Sequence, residues 1–198
     1  MIRIGFIRHG LTEWNKEKRI QGLRDLDLCA EGLATMEALR PPRQLDNAIW
    51  YTSPLARARQ TAEAMGIADY TPDGRLQEMN WAHWEGRTVQ DLRTENPVGM
   101  RANEQKGIRF RPPGGESPEE VQERVLDWAR NRPAPGPYGV ITHKGVIRAA
   151  VALALNWDMT EPEPIKLKWT AAHILKLDAY GDLKVDGLNV PLMPRSDA

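Results

Sequence analysis

Apolar positions along this chain gather into short runs separated by longer stretches of helical spacing. The runs are residues 2–7 (IRIGFI), 47–53 (NAIWYTS), 138–143 (YGVITH), 172–177 (AHILKL) and 182–188 (DLKVDGL). Each is short, contains β-branched residues or is bounded by turn residues, and so predicts a strand. Between them, residues 30–40, 54–66, 87–95, 118–131 and 145–156 repeat apolar positions at helical intervals and predict helices. Strands alternating with helices predict an α/β sandwich with a largely parallel sheet.

Local signals sharpen three boundaries. In SPLARARQTAEAM, Ser53 is the expected N-cap and Pro54 the first helical residue. In SPEEVQERVLDWA, Ser117, Pro118 and Glu120 form an expected capping box. Cys29, in LDLCAEGL, falls at a helix start. Residues 94–116 (TENPVGMRANEQKGIRFRPPGGE) are polar and rich in Gly and Pro, which predicts an excursion over the surface. Together with the aromatic stretch before it, the region about 78–116 reads as a lid-like element. The last residues, MPRSDA, are expected to fray. No linker divides the chain, so residues 1–198 are expected to form one domain.

Charge narrows the partners. The chain has 27 basic and 27 acidic residues, so no global field draws it to nucleic acid or to an anionic membrane, and neither is an expected partner. Any anion site must be local. No apolar stretch is long enough for a membrane span, and no charged n-region precedes an apolar core as in a signal peptide. The single Cys29 forbids an intramolecular disulfide and suits a reducing compartment, so the cytoplasm is the expected location.

Two strands end alike. FIRHG (residues 6–10) and VITHKG (residues 140–145) each run from an apolar strand through one polar residue to a His, then to Gly within two positions. Ligands of open α/β sheets bind beyond the carboxyl ends of the strands. If these strands are neighbours, His9 and His143 face each other there. Arg57, early in the helix after Ser53, adds a guanidinium at a helix N-terminus, a natural anion site. Arg8 adds a second. Arg59 reads as solvated.

A carboxylate would complete such a site, and RLQEMNWAHWEGRT (residues 75–88) offers Glu78 and Glu85 among tryptophans. A carboxyl group desolvated by aromatic neighbours holds its proton more firmly and suits proton donation. The residues alone do not choose between the two. Of the four histidines, His83 reads as a packer in the aromatic loop and His173 as a core or face residue of a strand. HxH, HExxH and CxxC are absent, which disfavours zinc; GxSxG, GxGxxG and GxxxxGK[ST] are absent as well.

RHGLTEWN, IQGLRDLDLCAEG, SPLARARQTAE, LQEMNWAHWEGRT, PPGGES and THKGVIRA, in this order, resemble the histidine phosphatase superfamily, branch 1, the phosphoglycerate-mutase-like family. The resemblance spans residues 3 to about 150. It implies a three-layer α/β/α sandwich with a mostly parallel mixed sheet and no cofactor or metal. It also implies that His9 is a transiently phosphorylated nucleophile. Arg8, Arg57 and His143 would bind the phosphoryl group with Asn15 assisting, and Gln21 and Gly22 would border the substrate. It selects Glu78 as proton donor and leaves Glu85 to a structural turn. The family usually carries Gly after its second His, where this chain has Lys144, either solvated or extending the cationic pocket toward the substrate.

The expected partner is a small phosphorylated metabolite, and the resemblance allows a homodimer. The expected activity is metal-independent phosphomonoester hydrolysis. Cofactor-dependent phosphoglycerate mutation is the alternative, disfavoured because mutases of this family carry a longer insertion after the Glu segment and a longer tail. A non-catalytic phospholigand-binding module comes third, because the His, Arg and Glu positions all remain.

Overall fold

Strand β1 (Ile2–Arg8) lies at the centre of the computed structural model, which describes residues 1–133 and 135–195. Its side chains alternate between two cores, as a strand buried on both faces requires. Ile4 and Phe6 join Val125, Trp128, Val140 and Ile147 on one side, while Ile7 joins Met36, Ala58, Ala62 and Ile141 on the other.

The remaining strands are β2 (Leu39–Arg40), β3 (Ile49–Thr52), β4 (Tyr70–Pro72), β5 (Tyr138–Thr142), β6 (Ala171–Leu177), β7 (Leu183–Pro191) and β8 (Met193–Pro194). The main sheet has six strands in the order β4-β3-β5-β1-β6-β7. Strands β4, β3, β5 and β1 pair parallel, and β6 and β7 are added antiparallel. The helices are α1 (Glu13–Lys16), α2 (Ala30–Glu37), α3 (Ala56–Ala64), α4 (Val89–Glu95), α5 (Pro97–Glu104), α6 (Pro118–Arg130) and α7 (Lys144–Leu155). Helices α6 and α7 cover the first core and α2 and α3 the second, giving three α/β/α layers. Among the described residues no helix is long and apolar enough to cross a membrane.

Three boundaries and one side-chain placement differ from the sequence expectation. Helix α3 begins at Ala56 rather than Pro54, and its N-cap, Leu55, makes no side-chain cap. The reason is tertiary: Asp25 Oδ1 accepts the Ala56 N–H at 2.6 Å, so a carboxylate from another segment caps this helix, while Ser53 Oγ only accepts from the Leu55 N–H at 3.3 Å. The excursion after residue 94 holds helix α5, started by the Asn96 side chain and Pro97. The tail does not fray where expected: Met193 and Pro194 pair with β2, while residues 196–198 lie outside the described residues. His83 is exposed rather than packed among the tryptophans, because its short 3-10 turn directs Trp81 and Trp84 inward instead. The capping box of α6, the Cys29 N-cap of α2 and the buried His173 of β6 are as the sequence predicts.

A third, smaller cluster lies over the carboxyl edge of the sheet. Ile20, Leu92 and Met100 are its buried centre, with Trp81, Trp84, Val89 and Phe110 packed around them. This cluster supports the polar excursion from beneath. The excursion is also hooked to the turn after α7: the Ile108 N–H donates to the Asp158 carbonyl at 2.7 Å. Gly107 permits that approach, with φ +58 and room for no Cβ, which would lie 2.1 Å from the Asp158 oxygen.

Candidate active site

Because β1 and β5 are parallel neighbours with Arg8 opposite Thr142, the residues that follow them emerge side by side at the same edge. These are His9 and His143, with ring centroids 5.1 Å apart and planes tilted by 56°. The His9 N–H donates to the Thr142 carbonyl at 2.9 Å and joins the two strand ends. His9 Nδ1 lies 2.7 Å from the Gly10 carbonyl oxygen, which can only accept, so Nδ1 carries the proton and Nε2 keeps its lone pair. Burial and the charges of Arg8 and Arg57 hold the His9 imidazole well below the usual histidine range, and therefore neutral. His143 is fully buried, neither ring nitrogen has a hydrogen-bond partner, and desolvation, Arg57 and His9 depress it in the same direction.

Arg57 reaches back from the first turn of α3. It is fully buried, donating from Nη1 to the Arg24 carbonyl at 2.7 Å and from Nη2 to the Gly22 carbonyl at 2.8 Å. Glu85 holds the loop that presents those carbonyls: its Oε1 accepts the Leu23 N–H at 2.8 Å and its Oε2 lies 3.5 Å from Arg24 Nε. Gly22 is required there, since φ is +53 and a Cβ would fall 2.1 Å from Glu85 Oε1. Among the described residues Arg57 Nε and Arg8 Nε have no hydrogen-bond partner, although both arginines line one large pocket. Burial lowers both guanidinium groups from their ordinary range with Glu78 opposing, yet arginine remains cationic. Unsatisfied buried donors are costly, and an anion in the pocket would satisfy them.

The pocket has a volume of about 860 Å³. Its lining includes Arg8, His9, Arg57 and Glu78, together with Asn15, Gln21, Gly22, Lys144 and Trp169. His143 lies behind this wall rather than on it. Glu78 is placed through its backbone: the Thr142 hydroxyl donates to the Leu76 carbonyl at 2.6 Å, tying the preceding turn to the end of β5. The Glu78 carboxylate then accepts N–H groups from Met79 at 2.8 Å and from Gly145, in the first turn of α7, at 3.2 Å. A side chain at Gly145 would not fit, because its Cβ would stand 2.4 Å from Glu78 Oε1.

Asn15 Oδ1 is committed to the Thr12 N–H at 3.1 Å in the cap of α1, so what Asn15 can offer the pocket is its amide N–H. Gln21 is buried with an unpartnered Oε1. The sequence expectation missed Trp169, whose indole faces the Arg8 guanidinium carbon at 5.8 Å and Lys144 Nζ at 5.3 Å. It also missed Thr61, whose Oγ1 accepts the Gly10 N–H at 2.9 Å and donates to the Arg57 carbonyl at 2.6 Å, binding the two active segments together. A tryptophan that follows two lysines just before a strand was the available signal for Trp169; Thr61 offered none. Among the described residues no group of three or more His, Cys, Asp or Glu side chains is arranged to hold a metal ion.

The sequence model of the histidine phosphatase superfamily (branch 1) matches residues 4–190. A probable phosphoglycerate mutase, GpmB, from Salmonella paratyphi C is 38% identical over 130 residues, a match that covers 63% of this chain and 60% of that relative. Among solved structures, YhfR of Bacillus stearothermophilus superposes with a TM-score of 0.80 at 27% identity, covering 98% of both chains. A phosphoserine phosphatase from Entamoeba histolytica, in complex with 3-phosphoglyceric acid, shares the fold with a TM-score of 0.79 at 22% identity, covering 96% of this chain and 97% of that one.

Proposed function

We propose that this chain, which belongs to the histidine phosphatase superfamily (branch 1), hydrolyses a small phosphorylated metabolite through a phosphohistidine at His9. The observation that carries the reading is the state of His9: neutral, with its proton fixed on Nδ1 by the Gly10 carbonyl, beside Arg8 and Arg57 guanidinium donors that lack partners.

A phosphomonoester dianion resists attack because the nucleophile must approach negative oxygens. Fixed positive charge around the equatorial oxygens removes that barrier when it is already in place. Arg8 and Arg57 supply it here without a metal, and their planar donors match phosphate oxygens in a way lysine cannot. His9 Nε2 forms the N–P bond as the P–O bond to the leaving group breaks. Glu78 gives a proton to the departing oxygen. Glu78, now ionised, takes a proton from water as that water breaks the N–P bond and releases inorganic phosphate. His143, packed against the His9 ring from behind the pocket wall, orients that ring. Asn15, Gln21 and Gly22 border the phosphoryl site, and residues 78–116 cover it as part of one domain spanning the chain. The single buried Cys29 supports a reducing, cytoplasmic setting.

A second reading, phosphoglycerate mutation, has support from the printed name of the Salmonella relative. Hydrolysis is favoured because the excursion after Glu78 is modest, whereas a mutase must keep water from its phosphoenzyme. Phosphatase names among fold neighbours agree, including glucosyl-3-phosphoglycerate phosphatase Rv2419c. The deciding experiment supplies 3-phosphoglycerate with a trace of 2,3-bisphosphoglycerate and follows both products. Release of phosphate in excess of 2-phosphoglycerate is expected; isomerisation outrunning phosphate release would replace the hydrolase with a mutase.

A further inference from the structure

Two cations of the pocket lining lie over the Trp169 ring, the Arg8 guanidinium carbon at 5.8 Å and Lys144 Nζ at 5.3 Å. An indole ring attracts both cations but neutralises neither. Arg148, one turn further along α7, also lines the pocket. The acidic groups that could balance Lys144 are already engaged. Glu163 pairs with Arg148 at 2.7 Å, and Glu78 accepts the N–H groups of Met79 and Gly145. Lys144 has no carboxylate within ion-pair distance among the described residues. Desolvation, with repulsion from Arg8 and Arg148, lowers its ammonium from the ordinary lysine range. Lys144 keeps part of its side chain exposed, lines the same pocket as Arg8 and Arg148, and has no counter-ion of its own among the described residues, so a ligand anion in that pocket would be attracted to it.

We infer that Lys144, held on Trp169, receives a second anionic group, a carboxylate, on the alcohol portion of the substrate. This rests on the hydrolase reading above and narrows its substrate class to phosphomonoesters of hydroxy acids. Trp169 acts as a positioning residue that keeps the lysine stem beside the pocket, and the carboxylate completes a cationic row from Arg57 through Arg8 to Lys144.

The test compares two ligands that differ at one terminal group, 3-phosphoglycerate and glycerol 3-phosphate. Binding is measured by calorimetry in His9→Ala, with and without Lys144→Gln, and KM and kcat are measured in the chain with His9 intact. The expected result is that Lys144→Gln weakens 3-phosphoglycerate about fivefold more than glycerol 3-phosphate, in Kd and in KM, a magnitude ordinary for a partly exposed charge contact. Lys144→Arg should restore most of the difference, salt should shrink it, and Lys166→Gln, an exposed charge-matched control outside the pocket, should not reproduce it. Equal weakening of both ligands, or none of either, overturns the assignment. If binding discriminates as expected but neither ester is turned over, the carboxylate subsite stands and the hydrolase reading falls.

Discussion

The imidazoles of His9 and His143 face each other at 5.1 Å, yet among the described residues only one of their four ring nitrogens has a protein partner. The arrangement leaves His9 Nε2 as the reactive atom. Replacing His9 with Ala removes it while leaving both arginines in place. Hydrolysis of p-nitrophenyl phosphate, in the presence of chelator, should fall by about three orders of magnitude or more. The intact chain, quenched after brief exposure to labelled ester, should yield an acid-labile phosphoprotein; an acid-stable label would move the nucleophile elsewhere.

Glu78 and Glu85 are separable by the leaving group. Glu78→Gln should slow alkyl phosphates on the order of a hundredfold and activated phenyl phosphates far less, because only a basic alkoxide needs the proton. Glu85→Gln should show no such dependence, since its carboxylate serves the Leu23 N–H and Arg24. A leaving-group effect confined to Glu85→Gln would exchange the two roles.

Glu85→Ala is a different disturbance. It strips the acceptor from the partly buried Leu23 N–H and loosens the loop whose carbonyls hold Arg57. Loss of stability of about 1–3 kcal/mol in urea unfolding is expected. A lower kcat/KM should accompany it, with Glu85→Gln milder on both counts because it keeps an acceptor oxygen.

Acid should destabilise the protein through its histidines. Burial, with nearby arginines, holds His9 and His143 well below 6.5 in the folded state, while the unfolded chain takes up protons near that value. The unfolded state then binds more protons, so stability falls as pH drops below about 6.5 and continues to fall until the folded imidazoles titrate. Urea unfolding at stepped pH values from 7 to 5 measures the slope. His143→Asn should flatten it by at most about 1.4 kcal/mol per pH unit, the limit for one proton. An unaltered slope would mean that His143 titrates normally despite its burial.

The chemistry was more legible in the sequence than its supports were. His9 and His143 could be paired in advance because both strand ends wrote the same pattern, apolar run, polar residue, His, Gly, and parallel neighbours end at one edge. Arg57 was legible as a helix N-terminal cation but not as a buried one; its burial depends on Gly22 and Arg24 carbonyls delivered from across the chain. Ser53 misled because a local N-cap signal was outcompeted by Asp25, more distant in sequence but better placed in space. The strands β2 and β8 are two residues each, too short for any periodicity to register. The choice of Glu78 over Glu85 rested on family resemblance; the contacts supply its physical counterpart, since Glu78 lines the pocket and Glu85 is occupied by the loop.

The hook between the Ile108 N–H and the Asp158 carbonyl makes the pocket's outer wall a joint product of two distant stretches of chain, with Gly107 as the contact point. Neither stretch is free to change length alone. One added residue at 107 or within 156–160 would displace the other, and any side chain at 107 would press the two apart. A specificity transplant that exchanges only residues 78–116 for those of a relative would therefore carry half a wall. The unit that can be exchanged intact is the excursion together with the turn that follows α7.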